Sequence, residues 1–257
     1  MLLFKIPKAE LNQLNKTFLR KVGIFIGFIL ILYFDGTSFS KNVIDSQIPI
    51  NILALLSFLW MYKRAYPRTR KLMIYAVFLG LLGEYFFSIY LGMYTYRLEN
   101  VPWYVPLGHA ALYGRVFIFS KDPLARKHHK AIEHFFALII MIFAIVYLVF
   151  FDDIFGFLMT ILVFLLLYKR PKDRLYFYTM YIVVALLEIG GTAFGCWKWP
   201  PIAFNVFEFL PSNNPPSGIS LFYFLLDIWC FLFYIIFHQK VWRRFRQIKQ
   251  YNDIKNT

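Results

Sequence analysis

The chain predicts an all-α fold: a polytopic membrane helical bundle of about eight transmembrane helices, in a single domain over residues 1–257. Three observations carry that expectation. The sequence is 60% hydrophobic and 21% aromatic but only 16% charged, with a mean hydropathy of +0.55; a soluble domain carries roughly 45–50% apolar and about 25% charged residues. Apolar runs near the length a bilayer demands recur along the whole chain. The formal charge of +14 is confined to short blocks between those runs, the pattern of cytoplasmic membrane loops. A chain this short cannot hide so much apolar surface in a core, so lipid must act as its solvent. The same blocks exclude nucleic acid as a partner, because that function needs a basic face on a soluble fold.

In chain order, Leu11, Leu14, Phe18 and Val22 come first, at helical spacing with lysines between them. Residues 1–21 therefore read as an amphipathic helix on the membrane surface, or alternatively as a frayed tail. The expected spans are Val22–Phe39, Ile48–Tyr62, Leu72–Met93, Val101–Ser120, Ile132–Phe151, Ile154–Tyr168, Leu175–Trp197 and Ile219–Phe237. Only Asp152-Asp153 separates the fifth from the sixth, which requires a tight helical hairpin. After the first run comes Asp35-Gly36-Thr37 rather than a small-x-small cleavage site, so that run is expected to stay as an anchor.

Charge orients the bundle. Lys5, Lys8, Lys16, Arg20 and Lys21 precede the first span; Lys63, Arg64, Arg68, Arg70 and Lys71 join the second to the third. Lys121, Arg126, Lys127 and Lys130 join the fourth to the fifth, and Lys169, Arg170, Lys172 and Arg174 the sixth to the seventh. Lys240, Arg243, Arg244, Arg246, Lys249 and Lys255 follow the eighth. The alternate connections hold only Lys41, Arg97 and Lys198, and Arg115 lies within a span. The positive-inside rule then puts both termini in the cytoplasm. No organelle or retention signal is evident, so a bacterial inner membrane is the expected setting.

A parallel internal repeat is expected, with residues 22–130 as its first half and 131–257 as its second. Spans three and four carry Glu84-x3-Ser88, Gly92-x-Tyr94-x-Tyr96 and Pro106-x-Gly108-x3-Leu112-Tyr113. Spans seven and eight carry Glu188-x3-Thr192, Gly195-x-Trp197-x-Trp199 and Pro216-x-Gly218-x3-Phe222-Tyr223. Copies four spans apart share an orientation, so an axis along the membrane normal relates them. The spacing differs in one place: Gly92 lies eight residues after its glutamate and Gly195 seven. The Pro/Asn-rich segment Pro200–Pro216 is expected to fold over the outer mouth of the bundle, or to be an extended linker.

Glu84, Glu188 and Asp227 are the candidate chemical groups, each flanked by apolar residues inside a span. A charged carboxylate near the bilayer centre costs at least ~2.5–3.5 kcal/mol on insertion scales, so it must face a cavity or a partner. Either these acids transfer protons or they are hydrogen-bonding glue between helices. Glu188 shares its face with Gly191 and Thr192, small residues that admit another helix or a flat ligand. His109 is a further candidate for proton transfer. Arg115 is expected to pair with an acid or to snorkel towards the cytoplasm. The run His128-His129-x3-Glu133-His134 has metal-like spacing, but Arg126, Lys127 and Lys130 oppose a cation there, and no metal is expected. Cys196 and Cys230 form no framework, and Cys230 reads as a small buried hydrophobe. No Walker loop, dinucleotide fingerprint or nucleophile elbow is present.

The stretch Glu84…Gly92-Met93-Tyr94-Thr95-Tyr96…Val101-Pro102-Trp103-Tyr104-Val105-Pro106-Leu107-Gly108-His109 resembles the carotenoid-biosynthesis membrane family that includes bisanhydrobacterioruberin hydratase. It is more distantly similar to the membrane lycopene cyclase domains. The likeness covers about thirty residues closely and the second copy, Gly195-x-Trp197-x-Trp199, more loosely. His109 stands where that family usually has tryptophan, and Asn213-Asn214 where the cyclases carry paired glutamates. The resemblance implies an enzyme that hydrates or cyclises a carbon–carbon double bond of an isoprenoid-like lipid without a cofactor. Glu84, Glu188 or Asp227, helped by His109, would then supply the proton. Tyr94, Tyr96, Tyr113, Trp197, Trp199 and Tyr223 would line the substrate and stabilise a carbocation through their ring faces. Other readings of the same residues are a proton-coupled transporter or lipid-binding protein, and a structural subunit of a membrane complex.

Overall fold

The computed structural model describes residues 6–40 and 46–244; Lys5, Lys41, Arg246, Lys249 and Lys255, counted above among the loop cations, lie outside them. The described chain is mostly helical: α1 (Lys8–Val22), α2 (Ile24–Asp35), α3 (Thr37–Ser40), α4 (Gln47–Arg64) and α5 (Pro67–Glu84) come first. A π-helical segment (Tyr85–Tyr90) continues α5 and leads to the short strand β1 (Thr95–Tyr96). Then follow α6 (Tyr104–Ser120), α7 (Pro123–Lys127), α8 (His129–Phe151), α9 (Ile154–Tyr168) and α10 (Arg174–Ala193). The strands β2 (Trp197–Lys198), β3 (Ile202–Ala203) and β4 (Phe207–Pro211) precede α11 (Ser220–Phe237).

Pro67–Tyr90, α8, α10 and α11 are long and apolar enough to cross a membrane, and α1 with α2, bent by 44°, makes a fifth if taken as one span. The helices α4, α6 and α9 are shorter or less apolar. All eight expected apolar segments are nevertheless helical over most of their length. Leucine, isoleucine and phenylalanine stay exposed along α2, α4 and α8, which water would not tolerate on this scale. These helices mark a membrane protein.

At the centre α10 packs against α2, α6, α8 and α11, while α5 packs against α6 and α11. Of the element expected over residues 1–21, the part from Lys8 forms α1 and turns its buried face towards the bundle, while residues 1–5 lie outside the described residues. Leu14 and Val22 are buried, and the Phe18 ring meets Phe119 edge-on at 5.3 Å. Among the described residues Arg115 pairs with no acid, and its side chain reaches towards the cationic end. Its guanidinium donates to the carbonyls of Lys21 (2.6 Å) and Arg20, closing off the last turn of α1 as helix C-termini require.

The cationic connections gather at one end. Lys21 bonds Asp122 (2.5 Å), Glu10 takes Lys127 and His128, and Arg68 lies over the rings of Tyr234 and Trp242. At the opposite end Arg97 donates to Asp35 (2.9 Å), and Thr95 pairs with Lys198 across the β1–β2 ribbon. The hairpin between the fifth and sixth segments is tight, as expected: Asp152 ends α8 in the left-handed region (φ 52°) and Asp153 caps α9. Pro200–Pro216 is no extended linker. It contains the β3–β4 hairpin, packed against α9 through Phe204 and Phe155.

Candidate functional site

Two helices end in the same device. The π segment after α5 leads to Gly92 (φ +59°), and α10 leads to Gly195 (φ +73°). Only glycine adopts that left-handed conformation freely, so the chain turns there and doubles back as a strand. The strands pair antiparallel, Thr95 opposite Lys198 and Tyr96 opposite Trp197. Alternate residues of a strand share a face, so Tyr94 and Tyr96 turn inward together, as do Trp197 and Trp199.

Each inward pair serves the acid of its own helix. Tyr94 and Tyr96 both donate to Oε2 of Glu84, the latter at 2.6 Å. Trp197 and Trp199 donate through their indole N–H groups to Oε2 of Glu188 at 2.8 and 3.2 Å. Tyr223 of α11 donates to the other oxygen, Oε1, at 2.9 Å. The rings meanwhile cross over to the other copy: Tyr94 lies 4.5 Å from Trp199 and Tyr96 lies 5.9 Å from Trp197, centroid to centroid. Burial and the neighbouring Glu84 charge push the phenols of Tyr94 and Tyr96 well above their ordinary range, so both remain donors at neutral pH.

The unequal spacing in the sequence has a physical origin. A π-helical turn holds one residue more than an α turn. The residue added between Glu84 and Gly92 is taken up by the π segment, and Glu84 still meets the tyrosines of its own hairpin. Gly191 also has a definite role. A Cβ there would lie 2.1 Å from Cζ2 of Trp197. The flat group expected against this small residue is the chain's own indole.

Beside Glu188 lies a cleft of about 60 Å³ that is open on one side, smaller by itself than the several hundred Å³ of a drug-sized ligand site. Phe28 and Leu32 of α2, Leu112 of α6 and Leu187 of α10 give it apolar walls; Tyr104, whose hydroxyl is taken up by Asp35, His109, Glu188, Trp197 and Tyr223 are its polar residues. A second, smaller cavity touches Glu84, Tyr94, Glu188 and Tyr223, with room for about one water molecule. Glu188 and Tyr223 border both.

His109 meets Asp227, not a glutamate. Its Nε2 lies 3.2 Å from Asp227 Oδ1, but off the hydrogen-bonding direction. Both ring nitrogens and that oxygen are buried without a hydrogen-bond partner. The other oxygen of Asp227 accepts from Tyr176 at 2.7 Å. Asp227 and Tyr223 lie one turn apart on α11, yet the acid's partners come from α6 and α10.

Of the expected site residues, Glu84, Glu188, Tyr94, Tyr96, Trp197, Trp199 and Tyr223 form one hydrogen-bonded, ring-packed cluster. His109 and Asp227 adjoin it through the ring of Tyr223, 5.3 Å from that of His109. Tyr113 does not join. It is buried against Tyr176 and Phe117, away from both cavities.

Two acids that hydropathy does not single out organise the same end. Asp35 is fully buried, taking Arg97 at 2.9 Å and Tyr104 at 2.7 Å. Asp153, also fully buried, accepts from the backbone N–H groups of Gly156, Asn213 and Ser217, tying the β4–α11 connection to α9. Both sit at run boundaries, where an aspartate reads as an ordinary end signal. In the histidine run, His128 turns to Glu10, and His129 and His134 turn to backbone carbonyls. Among the described residues no three His, Cys, Asp or Glu side chains group as metal ligands.

Compared with protein-family models, curated proteins and solved structures, the chain matches none.

Proposed function

We propose that the chain is an intramembrane acid–base enzyme that hydrates or cyclises a carbon–carbon double bond of an isoprenoid-like lipid. The observation that carries this reading is Glu188: a carboxyl group ringed by aromatic side chains, bordering an apolar cleft on one side and a water-sized cavity on the other. In the reaction the carboxylic acid of Glu188 or Glu84 gives its proton to one alkene carbon, and the adjacent carbon becomes cationic. The faces of Trp197 and Tyr223 lower the energy of that cation. Water then adds its oxygen to the cationic carbon and returns a proton to the carboxylate; in a cyclisation a second double bond attacks instead and a neighbouring C–H proton is returned. The acid is regenerated in both cases, and no redox step arises.

The framework proposed for this chemistry is an eight-span bundle with both termini cytoplasmic, set in a bacterial inner membrane and built from two parallel copies. The self-complementary ribbon supports the repeat. Its centre pairs Thr95 with Lys198, the two residues that the sequence skeleton makes equivalent, as a two-fold axis along the membrane normal would require. The collection of cationic connections at one end supports the orientation. Single cysteines at positions 97 and 198 should label from outside with an impermeant reagent, and those at 68, 127 and 172 only from inside. Labelling of position 127 from outside in intact cells would refute this topology.

The functional test is lipid extraction from a host that makes linear carotenoids, with and without this chain. A new hydroxylated or cyclised product is expected. An unchanged profile refutes the enzyme. Proton-coupled uptake into proteoliposomes in its place would establish a carrier.

A further inference from the structure

We propose that the apolar cleft receives a lipid whose chain ends in a hydroxyl, and that His109 Nδ1 hydrogen-bonds that oxygen. The inference rests on reading the cleft as a lipid site. It begins from an imbalance: buried polar atoms in folded proteins are almost always paired, yet His109 lines the cleft with both ring nitrogens unpartnered. Its Nε2 is turned towards Asp227 at 3.2 Å, which leaves Nδ1 for a ligand. Glycine at 80 and 108 leaves the ring with small neighbours, Gly80 across the α5–α6 contact (3.6 Å from a Cβ built there to His109 Cδ2) and Gly108 beside it in sequence.

The chemistry of the remaining polar residues selects the ligand group. Both oxygens of Glu188 already accept hydrogen bonds, from Trp197 and Trp199 on one and Tyr223 on the other. A carboxylate-headed lipid would bury its charge in an apolar cleft whose lining holds no lysine or arginine, which is costly without a partner. A neutral imidazole offers one donor and one acceptor, and a hydroxyl complements either. The rest of the wall, Phe28, Leu32, Leu112 and Leu187, suits a hydrocarbon chain alone. One polar contact at the end of an apolar slot is the arrangement that orients a long lipid.

The test is equilibrium binding to the full chain in nanodiscs of three probes: geranylgeraniol, the same chain ending in methyl, and geranylgeranylamine. In the wild type the alcohol should bind about tenfold tighter than the hydrocarbon, the size of one net hydrogen bond with its avoided desolvation penalty. His109→Phe should abolish that preference, and hydrocarbon binding to the variant shows that the cleft is intact. His109→Gln should restore part of it. Equal binding of alcohol and hydrocarbon to the wild type, tighter binding of the amine, or a preference that survives His109→Phe overturns the proposal. An alcohol preference without any new product in the lipid extracts removes the enzyme reading and leaves this one standing. Product formation without the preference removes this one alone.

Discussion

Replacing Glu188 with glutamine separates proton transfer from packing, because of which donors surround the group. Trp197 and Trp199 offer indole N–H groups, which can only donate, and both are directed at Oε2. Tyr223, at Oε1, has a hydroxyl that can donate or accept. A glutamine can therefore set its carbonyl towards the indoles and its NH2 towards Tyr223, keeping all three contacts. With Glu188 protonated, as proton transfer requires, neutral hydrogen bonds replace neutral ones and the loss is small, since interhelical hydrogen bonds in membranes average only ~0.6 kcal/mol. Glu188→Leu instead strands two buried indole donors at roughly 1–3 kcal/mol each. Detergent-solution thermal stability should thus rank wild type and Glu188→Gln together, with Glu188→Leu well below. Turnover in the carotenoid-producing host should tell a different story. General acid catalysis contributes about 10²–10⁴-fold, and glutamine has no proton to give, so product should fall by that factor although the fold survives. Glu84→Gln tests the twin site in the same way, since both of its partners are tyrosines. Full product formation in both glutamine variants would refute the catalytic role of these acids and leave Asp227 as the remaining candidate proton donor. A Glu188→Gln variant as unstable as Glu188→Leu would refute the donor accounting itself.

Three further outcomes follow from the geometry. Gly191→Ala puts a methyl 2.1 Å from the Trp197 ring, which must move away from Glu188; a loss of about 1–3 kcal/mol is expected from such overpacking, and an unchanged melting temperature would show that the indole is not held there. Deleting Ile89 removes the residue that the π segment accommodates, so the shortened helix should fold as a plain α-helix with Glu84 still bound by its tyrosines, while deleting Ile189 from α10 should be far more damaging; equal damage would refute the insertion argument. Burial opposes ionisation of Asp122, but the hydrogen bond from Lys21 and those from the backbone of α7 outweigh it and hold the carboxyl below its ordinary range. A depressed folded-state pKa means stability that is present above the unfolded value of about 3.9 and is lost as pH falls through the folded one. Proteolysis within α1 should therefore increase in acid in the wild type, by the modest amount a solvent-screened, half-buried pair allows, and Asp122→Asn should flatten that dependence; a variant with the same acid response would exclude Asp122 as its source.

The amino-acid sequence by itself determined the helical segments, their apolar surface and the gathering of cations in alternate connections. Those properties are one-dimensional: partition into lipid depends on a local average of side-chain hydropathy, and the sixth segment, Ile154–Tyr168, appears with the bounds that its composition predicts. The two glycine-aromatic motifs were legible for a related reason, since a left-handed turn and a period-two strand are local codes. What each polar side chain meets was decided only by the tertiary structure. Nothing near Asp227 in the chain announces Tyr176, fifty-one positions away, and nothing near Asp35 announces Arg97, sixty-two away. Such pairs depend on the rotation of each helix about its axis and on how closely neighbours approach. In lipid those quantities are set by small-residue contacts and interhelical hydrogen bonds, because the tails outside are as apolar as the side chains within. That is why Gly191 could be read as a place for something flat, while the identity of that flat group, Trp197, waited on the fold.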